Sequence, residues 1–373
     1  MAHRILVSVG AIALAALIVS PQAQSASKGV PPMAKDKSTT TAMSRTGTQY
    51  TADADMQAVL DTLASFDGKP IETLAPAEAR KQPTPTDAVT AILKKQGKDT
   101  SPTALVPGVT SEDRQVPGAA GPLTARIYTP AGAGPFPVIV YFHGGGWVIA
   151  DRVVYDGGAR GLAKQANAIV VSPDYRLAPE AKFPAAWDDA LAVYRWVATN
   201  AASFKGDPKR LALAGESAGG NLAVSTAVAA RDAGLTAPLH IVSVYPVAQT
   251  GNLSTESYVD SATAKPLNKA MIGWFVDKVF AKPDDAKNPR VDIVNADLKN
   301  LPSVTIINAQ IDPLRSDGDL LESALKKAGV KVEQRNYSGS THEFFGAAAV
   351  VKDAQEAQAY AGKRLKQAFD NGR

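Results

Sequence analysis

Two glycine-rich segments and one histidine carry the chemistry this chain of 373 residues can perform. The first is Gly215-Glu216-Ser217-Ala218-Gly219, a G-x-S-x-G between the apolar run RLALAGES and the helical pattern AGGNLAVSTAVAARDAG. Between a strand and a helix, such a serine occupies a tight, strained turn that lifts its hydroxyl clear of the sheet edge. The small flanking residues let strand and helix approach. The pentapeptide by itself is weak, since a plain strand-to-helix turn also wants small residues. The second segment is His143-Gly144-Gly145-Gly146-Trp147, directly after the apolar strand pattern PVIVYF. Consecutive glycines cost backbone entropy, and their use at a strand end is to present peptide N–H groups to a ligand. A phosphate loop is the alternative, but no G-x-G-x-x-G runs into a helix here and no GK[ST] follows.

A nucleophilic serine needs a base and an acid to orient it. The chain has four histidines, His3, His143, His240 and His342. His3 lies in the leader, His143 heads the glycine loop, and His240 opens the apolar strand HIVSVYP as a structural residue. His342, in the polar loop YSGSTHEFFG after the strand KVEQRNY, is left as the base. For the acid, Asp312 directly follows the strand VTIINAQI. Asp317 and Asp319 read as first-turn acids of the next helix, and Asp292 and Asp297 belong to an insertion. Trp147 adjoins the glycine loop and is the candidate substrate contact, whereas Trp274, Phe275 and Phe280 read as core packing.

Composition removes competing chemistries. With no Cys there is no disulfide, thiolate zinc site, Fe–S cluster or thiol nucleophile, and the few histidines argue against a histidine-rich metal site. The net charge of +4 comes from 40 basic and 36 acidic residues with no long basic run, so nucleic acid is not an expected partner.

The elements that must position these residues alternate along the chain. Strand patterns at 123–128, 137–142 and 168–175, and those beginning at 210, 240, 304 and 331, are separated by helical patterns. This predicts an α/β fold with a mostly parallel central sheet and helices on both faces. The stretch 248–300 breaks the rhythm and is too long for a plain loop, so it is read as a cap insertion containing the helix MIGWFVDKVF. Ahead of the sheet, residues 49–102 hold two amphipathic helical patterns. One places Met56, Val59, Leu60 and Leu63 on one face, and the other Val89, Ile92 and Leu93. The main domain is expected from 103 to 373. At the N-terminus, His3 and Arg4 precede the uncharged run Ile5–Ser20, followed by Pro21 and the small-residue site Ala23-Gln24-Ser25. This pattern predicts a signal peptide over 1–25 and export to the periplasm or medium, with a polar flexible leader over 26–48 and no stable membrane span after cleavage.

Taken together, HGGGW, DYRLAPE at 174–180, GESAGGNLA at 215–223, DPL at 312–314 and H-x-F at 342–344 resemble the hormone-sensitive-lipase-type family of α/β-hydrolases over about residues 50–365. The resemblance implies an α/β-hydrolase fold with a helical cap, made of the segment before 103 and the insertion. It implies the triad Ser217, Asp312 and His342, with the N–H groups of Gly145, Gly146 and Ala218 as oxyanion hole. It also implies hydrolysis of small-molecule esters of short to medium acyl chains, without metal or organic cofactor; family members often form homodimers. An amidase or lactamase on the same triad, or a non-catalytic binding protein on the same fold, are the alternatives. Glu216 departs from the Asp common in the subfamily.

Overall fold

The computed structural model describes residues 50–372, all within one compact unit, Thr46–Arg373. The expected signal peptide (1–25) and the leader (26–48) lie outside the described residues. Four helices come first: α1 (Ala54–Ala64), α2 (Pro76–Ala79), α3 (Pro85–Lys95) and α4 (Pro102–Leu105). Then follow β1 (Val109–Pro117), β2 (Pro122–Pro130), β3 (Phe136–Phe142), α5 (Asp156–Ala166), β4 (Ile169–Pro173), α6 (Ala185–Asn200) and β5 (Gly206–Glu216). After these come α7 (Ala218–Asp232), β6 (His240–Val244), α8 (Glu256–Asp260) and α9 (Lys269–Val279). The chain ends with β7 (Ser303–Ile311), α10 (Arg315–Lys327), β8 (Val332–Thr341) and α11 (Lys352–Asn371).

The eight strands form one sheet in the order β1-β2-β4-β3-β5-β6-β7-β8. β1 and β2 pair antiparallel, β2 runs antiparallel to β4, and β4 through β8 are parallel. The central strands are built from apolar, largely β-branched runs, FPVIVYF, IVVSP and HIVSV, and every residue of β3, β4 and β6 is buried. Their side chains alternate between two layers. Val138, Val140, Leu211, Leu213 and Ile241 join the core beneath α6, α7 and α10. Ile139, Tyr141, Ala212, Ala214 and Val242 join the core beneath α5 and α11. The period of two along each strand thus supplies both faces.

β1 is an edge strand that the apolar pattern does not announce. Its sequence VTSEDRQVP buries only Val109 and Val116. It is held by the full register with β2 from Val109↔Pro130 to Pro117↔Pro122. A charged, half-wet edge of this kind also resists pairing with other chains.

Between β6 and β7 the chain leaves the sheet to form α8 and α9 before returning. α9 covers the predicted helix MIGWFVDKVF, whereas α8 has no counterpart in the sequence pattern. This excursion is tied to the N-terminal helical segment, because Trp274 Nε1 donates to Leu74 O (3.1 Å) and Asn268 Nδ2 to Glu72 Oε1 (3.1 Å). The N-terminal segment is in turn fixed to the body through Arg80, which donates to Val148 O and Ala178 O and pairs with Glu180.

Candidate active site

All the candidate residues lie at the C-terminal ends of parallel strands, where open α/β sheets place their ligand crevices. Ser217 follows β5 immediately and precedes α7, with φ 58° and ψ −118°. A non-glycine residue held there costs on the order of 1–3 kcal/mol and persists only when its surroundings enforce it. They do: Ser217 N donates to Val244 O (2.9 Å), and Ser217 O accepts from the N–H of Asn221 and of Val247. Gly219 is required by contact, since a Cβ there would run into the carbonyl oxygens of Phe142 and His143. The close approach brings the glycine loop after β3 against the serine turn.

Sheet register brings the other two residues together. Ile311 of β7 is paired with Thr341 of β8, after a register shift, so the next residue on each strand, Asp312 and His342, emerge side by side. His342 Nδ1 donates to Asp312 Oδ2 at 2.6 Å, because an ionised carboxylate can only accept. That leaves Nε2 as the bare nitrogen, 3.0 Å from Ser217 Oγ, where it accepts the hydroxyl proton. Asp312 is fully buried, and its Oδ1 accepts from Leu314 N at 2.8 Å. Burial lowers the proton affinity of His342, but the charge and hydrogen bond of Asp312, with Glu343 and Glu216 nearby, outweigh it and hold its pKa above the ordinary 6.5.

The glycine loop is shaped for donors. Gly145 (φ 92°) and Gly146 (φ 58°) take left-handed conformations that L side chains rarely adopt. A Cβ on Gly146 would meet the ring of Phe275. Among the described residues, the N–H groups of Gly145, Gly146 and Ala218 donate to no protein acceptor. His143 itself is a buried, structural residue. Its ring stacks on Tyr175 (centroids 4.2 Å, 10° apart) and donates from Nδ1 to Gly144 O, and burial lowers its pKa. His240 is likewise structural, held between Ser303 and Thr305, with burial pushing its pKa down to about 3.

One expectation is corrected. Asp317 does not act as a first-turn cap on α10. It is completely buried and accepts from Ala248 N, Gln249 N and Gln249 Nε2, anchoring the chain as it leaves β6; burial pushes its pKa up to about 7. Phe275 of α9 packs in the core, as it reads in the sequence, and its ring also covers the glycine loop at Gly146. Trp147 is also at positive φ and is buried. Its ring packs 4.9 Å from Trp187.

That cavity, of about 430 Å³, lies between the N-terminal helical segment, the β6–β7 excursion and the loops after β3 and β8. Leu60, Leu63, Ile71, Ile149, Leu267 and Met271 line it, and Glu343, next to His342, adds a carboxylate. Behind the serine turn sits a second carboxylate, which the sequence presents only as a subfamily variant. Glu216 is buried, and both Tyr141 and Tyr245 donate to it. Burial raises its pKa to about 7 against the lowering effect of the two tyrosines. The Tyr245 ring also packs 4.5 Å from His342. Within PVIVYF and HIVSVYP these tyrosines look like any core aromatic; only the tertiary fold reveals them as donors.

A mostly parallel sheet with a serine on a strand–turn–helix corner is the architecture of an α/β-hydrolase. Comparison with known proteins agrees. The family described as α/β hydrolase fold matches residues 139–346. Carboxylesterase NlhH of Mycobacterium tuberculosis is 38% identical over 276 residues, covering 72% of this chain and 86% of that protein. Esterase LipI of the same organism is 39% identical over 251 residues, covering 66% and 78% respectively. The solved structure of a hyperthermophilic esterase from the archaeon Pyrobaculum calidifontis superposes with a TM-score of 0.77 at 34% identity, over 85% of this chain and 98% of that one. The chain therefore belongs to the hormone-sensitive-lipase-type α/β-hydrolases, a family of enzymes.

Proposed function

We propose that this enzyme is a carboxylesterase that cleaves short- to medium-chain carboxylic esters through an acyl-enzyme on Ser217. The observation that carries this reading is the hydrogen-bonded chain Ser217–His342–Asp312, with links of 3.0 and 2.6 Å, close to a glycine loop in which, among the described residues, the N–H groups of Gly145 and Gly146 donate to no protein acceptor. Ser217 Oγ attacks the ester carbonyl as His342 Nε2 takes its proton, and Asp312 stabilises the imidazolium that forms. The oxyanion is held by the N–H groups of Gly145, Gly146 and Ala218, each worth about 2.7–4 kcal/mol in comparable sites. Ala218 contributes from the first turn of α7, whose N-terminal end favours negative charge. His342 then protonates the leaving alcohol. Water, deprotonated by the same imidazole, releases the acid and restores the serine.

We read residues 49–102 and the excursion over 248–300 as the two parts of a cap over this site, because both line one cavity whose volume suits a small ester. The test is hydrolysis of nitrophenyl esters from acetate to palmitate by wild type and Ser217→Ala. Wild type is expected to favour the short chains and the variant to lose nearly all activity. Inertness of wild type on every ester would overturn the reading and direct attention to amides or to binding without catalysis.

Export is part of the proposal and rests on the run Ile5–Ser20 with Ala23-Gln24-Ser25 after it. N-terminal sequencing of the protein recovered from a bacterial periplasm or culture medium is expected to begin near residue 26; an intact Met1 on the mature protein would refute it. No helix among the described residues is long and apolar enough to cross a membrane.

A further inference from the structure

Glu343 is an unusual residue to find where it stands. It directly follows His342 and has φ 64°, a left-handed conformation that a glycine would take without strain. Its Oε1 accepts from Tyr155 OH at 3.0 Å, and among the described residues no protein donor reaches its other oxygen. Burial raises its pKa, with His342 and the Tyr155 hydrogen bond opposing. Most of the wall around it is apolar, formed by Leu60, Leu63, Ile71, Ile149, Leu267 and Met271.

The cations and amides of the cavity wall do not answer this carboxylate, and Asp67 and Glu72 add two further acids to that wall. Arg80 is committed to Glu180, Val148 O and Ala178 O. Asn268 donates to Glu72, and Lys69 and Lys265 are exposed. A ligand filling the cavity strips water from the free oxygen of Glu343. That desolvation is compensated only if the ligand itself supplies a donor.

We propose that Glu343 is a specificity-determining residue, selecting esters whose cavity-bound part carries a hydroxyl or ammonium donor and rejecting those that place a carboxylate there. The inference rests on the esterase reading and adds the substrate class. A site built to pair a polar group discriminates strongly against an analogue lacking it, because the buried group is then left unpaired. A substrate carboxylate would add like-charge repulsion to that loss.

The test compares kcat/KM at pH 8.5 for two probe series, since the cavity can be probed from either side of the ester. One varies the alcohol: propyl acetate, 2-hydroxyethyl acetate, 2-(dimethylamino)ethyl acetate and O-acetylglycolate. The other varies the acyl part of nitrophenyl esters: butyrate, 3-hydroxybutyrate and hemisuccinate. In at least one series, wild type is expected to favour the donor-bearing ester over the plain one by tenfold or more and to disfavour the carboxylate ester by a similar factor. Glu343→Gln keeps the size and removes the charge, and should shrink the carboxylate discrimination at least tenfold. Glu343→Asp, which keeps the charge, should retain its sign. Ratios within one variant cancel any effect on His342 or on the amount of folded enzyme. Equal ratios in wild type and Glu343→Gln, with propyl acetate and nitrophenyl butyrate cleaved normally, would overturn the specificity proposal alone. Failure of wild type on those two plain esters would instead overturn the esterase reading and this proposal with it.

Discussion

At the scale of single residues, the proposed mechanism depends on how the environment sets the proton affinity of His342. Burial favours its neutral form; Asp312 opposes burial by charge and by hydrogen bond, and Glu343 and Glu216 add to it, so the balance lies above 6.5. Only the unprotonated ring can accept the Ser217 proton. The kcat/KM profile is therefore expected to rise with pH along an acid limb whose midpoint lies above 6.5, and a flat profile between about pH 5 and 8 would remove His342 as the base. Asp312→Asn should move that limb downward, because the chief raising influence is gone, and lower kcat on the order of 10⁴-fold. Steady-state kinetics across pH on one nitrophenyl ester checks both. The three residues are legible in the sequence because strand ends, motif order and a pool of four histidines leave few choices. The direction of the Trp147 ring, packed against Trp187, is not legible, because adjacency in the chain does not give direction.

At the scale of elements, the loop carrying Asp312 is clamped from outside the sheet. Ser257 of α8 donates from Oγ to Pro313 O (2.5 Å), and the same Oγ accepts from Ser316 N (2.9 Å). Ser257 N donates back to Ser316 Oγ (3.1 Å), and Arg315 pairs with Glu256. This reciprocal pair of serines is buried and joins the β6–β7 excursion to the turn that aims the acid. Losing buried hydrogen bonds of this kind costs about 1–3 kcal/mol. Ser257→Ala is therefore expected to lower kcat roughly tenfold, at about 1.4 kcal/mol per decade, with KM little changed because α8 does not line the cavity. A raised KM with kcat intact would show instead that α8 acts on substrate binding. Nothing in the sequence announces this clamp. α8 is one short turn of ESYVD without a clear apolar face, and its partners lie more than fifty residues away. β1 escapes for the same reason, since VTSEDRQVP is made a strand by its pairing with β2 rather than by its own pattern. The parallel core strands are readable because burial on both faces imposes a continuous apolar run.

At the scale of the whole molecule, the site's buried acids set stability and activity against each other. Glu216 and Asp317 are both raised by burial to about 7, from ordinary values of 4.5 and 3.8, and His342 is raised above 6.5. In each case the folded state binds protons more tightly than the unfolded chain. Where the folded state holds more protons, unfolding free energy falls as pH rises. The two carboxyls act from about pH 4 to 7, and His342 acts from 6.5 upward through its folded value. A tenfold gain in proton affinity corresponds to about 1.4 kcal/mol, so Glu216 alone contributes at most roughly 3 kcal/mol. The opposite trend belongs to acids with lowered values. Asp113 is held far below the carboxylate range by Arg126 and Arg152, and Glu180 is lowered by Arg80, so their stabilisation is lost only on further acidification. The denaturation midpoint is therefore expected to be highest near pH 5 and to decline toward pH 8, while kcat/KM climbs over the same interval as His342 loses its proton. Urea unfolding followed by tryptophan fluorescence at pH 5, 6.5 and 8 measures the first trend. Glu216→Gln should flatten it, because a neutral amide removes one of the titrating groups. A midpoint that rises from pH 5 to 8 would mean that these carboxyls are ionised in the folded state across the range, and that the tyrosine donors outweigh burial at Glu216.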